Sequence, residues 1–191
     1  MAQPQSTTKL KDTRFYMEPE LSPDSLYAVL LYEGDPRSWN WALFIPDPFV
    51  SPIGSSGTVF RVFQVCDEYD VDDSRHWKFE DCHIDVISSS VVAIIQLIDI
   101  NGFTPDLAGE ILLEINPYQA THADDFSSRV WFLSVMKALH IHGLLPCDVD
   151  VLERDICNCA SDAMNDYLDN KGWTVFTAHS SRLRLWAVSA P

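Results

Sequence analysis

Two short stretches hold residues whose types and spacing could do chemistry. "RSWNWALFIP", residues 37–46, sets Asn40 between Trp39 and Trp41. "SSRVW", residues 127–131, sets Ser127 and Ser128 at the head of a long apolar segment. A nucleophile in the first turn of a buried helix gains from the unpaired N–H groups and the dipole there. A base on a neighbouring strand can then activate it. These side chains do not complete that scheme, because a serine hydroxyl needs a proton acceptor and an asparagine amide is not one. Hydrogen bonding and positioning remain. Asn40 and Ser128 would orient a substrate, and His83 or a carboxylate would move a proton. Arg129 would hold a carboxylate or carbonyl, and Arg61 is a further substrate-binding candidate. Trp39, Trp41 and Trp131 would form apolar walls. The plainer alternative makes Ser127 or Ser128 a helix cap and the tryptophans ordinary core residues.

Other chemistries find less support. The acidic run "CDEYDVDDSRHW" invites a calcium loop starting at Asp70, with Asp72 and Ser74 as ligands. Arg75, however, stands where the sharp turn needs glycine, and Asp81 closes instead of glutamate. His140 and His142 are two apart and diverge on a helix, and no HExxH, P-loop or GxGxxG pattern occurs. The five cysteines, Cys66, Cys82, Cys147, Cys157 and Cys159, include no CxxC pair and read as apolar fillers. No metal and no cofactor is expected.

These residues need elements to hold them. Alternating or β-branched runs predict strands over 26–33, 39–45, 58–65, 82–88 and 91–100, the last with a helical alternative. Thr104 as N-cap and Pro105 behind it open a short helix. The segment 125–142 is apolar nearly all round and stops at Gly143, so a buried central helix is expected. A last helix starts at Asp148 or Asp150 and runs to about Gly172, and the tail beyond it reads as an edge strand. The sum is a flexible stretch over 1–14 followed by one α+β domain over 15–191. Its mostly antiparallel sheet packs on the central helix, with the cleft where strand 39–45 meets the start of that helix.

Composition narrows the partners. Hydrophobic residues make up 47% of the 191, enough for a core. The longest apolar run, residues 91–98, is too short to span a bilayer, and the first dozen residues lack the apolar centre of a signal peptide. A cytoplasmic location is the expectation. The net charge of −15 disfavours nucleic acid and anionic membranes and makes a cationic or neutral partner easier to accommodate. A small-molecule ligand is expected, with the oligomeric state left open.

The segments "NWALFI", "GTVFRV", "SRVWFLSVMKALHIHGLL" and "DVDVLE" together resemble an uncharacterised fungal protein family. Its members carry a histidine–tryptophan pair opening a strand and, later, a cysteine–arginine–x–tryptophan motif opening a helix. That order is similar to circularly permuted papain-like folds of the NlpC/P60 and lecithin–retinol acyltransferase type. The resemblance covers about residues 26–153. It implies a permuted papain-like topology, with the family's histidine falling on Asn40 and its cysteine on Ser128. Trp41, Arg129 and Trp131 match as they stand. With nucleophile and base both replaced, thiol hydrolysis and acyl transfer lose their residues. The resemblance then implies a small-molecule biosynthetic enzyme catalysing a non-hydrolytic isomerisation or cyclisation in a degenerate cleft. The alternative is a non-catalytic ligand- or protein-binding module.

Overall fold

The computed structural model describes residues 21–51, 53–66, 75–84, 90–99, 105–115, 126–169 and 174–177. Residues 1–14 and the proposed calcium ligands Asp70, Asp72 and Ser74 lie outside them. The apolar run 25–32 forms strand β1 (Ser25–Tyr32), and Gly34, at φ 96°, supplies the left-handed turn behind it. Strand β2 (Trp39–Pro46) returns antiparallel, pairing Tyr27 with Phe44 and Tyr32 with Trp39. Strands β3 (Gly57–Cys66), β4 (Arg75–Ile84) and β5 (Val91–Asp99) follow, then β6 (Thr174–Thr177) after the helices. The sheet order is β4-β3-β2-β1-β5-β6, antiparallel throughout except that β6 lies parallel to β5. The chain is therefore α+β with a mostly antiparallel six-stranded sheet, and the tail does supply an edge strand.

Segment 91–99 is a strand, as its β-branched residues require. Strand β4 corrects the sequence reading. It begins at Arg75 instead of Cys82, so the acidic run ends inside the sheet. Ten residues of β4 pair with ten of β3, from Gly57 opposite Ile84 to Cys66 opposite Arg75. As the outermost strand it carries Lys78, Glu80 and Asp81 at no burial cost, while Trp77 and Phe79 pack on the core.

Three helices follow β5: α1 (Pro105–Glu114), α2 (Ser128–Ile141) and α3 (Val149–Leu168). Along β2 the side chains alternate. Trp41, Leu43 and Ile45 enter the core beneath the helices, and Ala42 and Phe44 enter a second apolar cluster on the other face with Tyr27, Val29 and Ile94. The central helix departs from its expected all-round burial. Trp131, Phe132, Val135, Met136 and Leu139 are buried, but Val130 is 42% and Ile141 81% exposed. It is a one-faced helix lying on β2 and β3, with α3 beside it over β5.

The sheet forks at one end, and this positions the site. β2 and β3 pair only from Pro46 opposite Gly57 to Ala42 opposite Arg61. Beyond Arg61, β3 keeps pairing with β4 as far as Cys66. The last residues of β2 on that side, Trp39 and Trp41, thus stand without a β3 partner. Gly57 closes the other end of the ladder. A Cβ there would lie 2.3 Å from the Ile45 carbonyl oxygen, so only glycine lets the strands meet.

Candidate functional site

The N-terminus of α2 fills the fork. Trp41 N–H, with no β3 carbonyl to reach, donates to Ser128 Oγ at 3.2 Å. Ser128 is 6% exposed. Its oxygen serves as acceptor for a backbone group, so the hydroxyl hydrogen stays available to a second partner. Ser127 is the N-cap: its hydroxyl oxygen accepts Val130 N–H at 3.2 Å, and its carbonyl accepts Trp131 N–H at 3.0 Å. One of the two serines therefore caps, and the other bridges helix to strand.

In front of these serines lies a cavity of about 360 Å³. Trp39, Trp41 and Trp77 form its aromatic side, Ser127, Ser128 and Arg129 its helical end, and Glu33, Arg37 and Ser38 its rim, with Cys157 of α3 opposite. The aromatic side is held rigid from behind. Trp41 packs on Phe132 with ring centroids 5.2 Å apart, and Trp77 meets Phe126 edge-on at 5.2 Å. Trp39 Nε1 is buried with no hydrogen-bond partner. The cavity sits at the small end of the range of ligand pockets.

Its charged groups are unequally engaged. Arg129 reaches across to α3, where Nε donates to Glu153 Oε1 at 2.6 Å and an Nη donates to the same oxygen. Glu33 accepts from Asn40 Nδ2 at 3.1 Å. Arg37 uses its backbone N–H to close the turn on Asp35, at 2.8 Å, and among the described residues its guanidinium meets no carboxylate. Burial pushes the Cys157 thiol up from its ordinary value of 9.0, with Arg129 opposing and Glu153 adding to the rise. The thiol is therefore neutral at physiological pH and poorly nucleophilic.

The residues singled out in the sequence are distributed as follows. Trp39, Trp41, Ser128 and Arg129 line the cavity together. Asn40 does not, because strand alternation turns it to the opposite sheet face beside Leu31. It reaches the site only through Glu33. Its Oδ1 is buried without a donor; turning the amide over would set that oxygen against the Glu33 carboxylate, which fixes the orientation. Trp131 is core, 1% exposed and packed on Phe79, with its Nε1 unpartnered. Arg61 faces away with Ala42 and pairs with Glu80, Nε to Oε2 at 2.8 Å. His83 lies at the far end of the sheet, opposite Thr58, with Nε2 2.9 Å from Ser56 Oγ.

Glu33, Arg37, Ser38, Trp77 and Cys157 were not marked by sequence reasoning. The charges flanking the "GDP" turn were a usable signal for Glu33 and Arg37, since a tight hairpin projects its flanks past the sheet end. The alternation of Trp77 and Phe79 was one for Trp77.

No group of three or more His, Cys, Asp or Glu among the described residues could hold a metal ion, and no described helix is long and apolar enough to cross a membrane. No family model, curated protein or solved structure matches this chain.

Proposed function

We propose that this protein binds a small organic molecule in the forked end of its sheet, as a ligand-binding module. The observation that carries the reading is Ser128. It is buried, it accepts Trp41 N–H, and it faces an aromatic-walled cavity with its own hydrogen still to donate. A cavity that sets convergent polar groups beside aromatic walls suits a small molecule. Recognition is favoured over covalent chemistry because burial pushes the Cys157 thiol up and, among the described residues, no base hydrogen-bonds Ser128.

A second reading has one observation behind it. Glu33 brings a carboxylate to the rim, and a carboxylate is a competent proton carrier for the isomerisation or cyclisation inferred from the resemblance. The degenerate, permuted papain-like relationship belongs to the same proposal. The strand-then-helix order and the bond between Ser128 and strand residue 41 support it; Asn40, where the family's histidine falls, stands against it by lying on the opposite sheet face.

A fragment screen read by chemical-shift changes on a spectrum with assigned indole N–H signals tests the binding reading. Hits are expected to move Trp39 and Trp77. A screen whose hits all leave these two signals unmoved refutes it. For the second reading, Glu33→Gln should leave fragment affinity within about threefold while abolishing any turnover found.

A further inference from the structure

We draw no further inference here: the strongest candidate, the apolar second face of the sheet around Val29, Ala42 and Ile94, is buried away from the three helices, and nothing in the structure shows what covers it.

Discussion

Ser128→Ala removes one hydroxyl and separates two roles that the sequence merges. In the fork, Ser128 Oγ is the acceptor for Trp41 N–H, and Trp41 is only 2% exposed. Deleting the oxygen leaves a buried backbone donor unpaired, at a cost of about 1–3 kcal/mol. For a chain of this length each kcal/mol lowers Tm by roughly 2–4 °C, so a fall of about 2–12 °C is expected. The neighbouring Ser127→Ala loses a helix cap, worth about 1 kcal/mol. The two variants are best compared by urea denaturation followed by far-UV circular dichroism, with unchanged slopes as the condition for comparing midpoints. Amide hydrogen exchange reads the bond itself. In Ser128→Ala the Trp41 amide should lose protection while that of Leu43, inside the paired ladder, keeps it. Ser128→Thr retains the oxygen and should recover most of the stability. If Trp41 stays protected in Ser128→Ala, or the loss is below about 0.5 kcal/mol, the account of the fork is refuted.

Three further outcomes follow from the same geometry. Gly57→Ala should destabilise strongly, by about 1–3 kcal/mol or more, because its Cβ would press on the Ile45 carbonyl; Gly34→Ala, with nothing within 4 Å, should lose only the roughly 1 kcal/mol of its left-handed backbone. In a double-mutant cycle, Arg129→Ala and Glu153→Gln should couple by less than about 1 kcal/mol and less still in high salt, since the arginine side chain is 58% exposed. Burial raises the thiols of Cys82, Cys157 and Cys159 above their ordinary 9.0, so the unfolded chain releases these protons first and stability should decline as pH rises past about 9. Replacing Cys157 by serine should soften that alkaline decline in a thermal-melt series, and an unchanged profile would count against the shift.

The strands and helices were legible because their signals were local. β1, β2, β3 and β5 announce themselves by apolar runs, and Gly143 marks the stop of α2 at φ 73°. Strand β4 was obscured because an edge strand tolerates charges that a central strand does not. The site was half legible. Ser128, Arg129, Trp39 and Trp41 line one cavity. Asn40 stands apart, although period-two alternation alone separates it from the tryptophans on either side. His83 and Arg61 drew notice by residue type, but their place depends on register, which no local pattern carries: one is opposite Thr58, the other opposite Ala42. Trp131 and Trp41 read alike in sequence and both are buried in the core; only packing brings Trp41 to the cavity as well.

The placement of Asn40 bears on whether this cleft reacts or only receives. On the far sheet face it cannot touch a ligand among Trp39, Trp41 and Ser128, yet its amide holds the carboxylate of Glu33 on the rim. A carboxylate kept in place by a neutral amide keeps its aim, which serves a rim acceptor as well as a base. The two uses differ in what they demand of Asn40. A binding rim tolerates some wandering of Glu33, whereas proton transfer needs the oxygen within hydrogen-bond reach of one atom. Asn40→Ala should therefore leave fragment affinity nearly unchanged under the binding reading. Under the isomerase reading it should depress turnover by tenfold or more at nearly constant affinity, since a misplacement of about 1 Å can cost about a hundredfold. Introducing histidine by Asn40→His together with cysteine by Ser128→Cys should create no hydrolase, because the imidazole would sit on the wrong side of the sheet from the thiol.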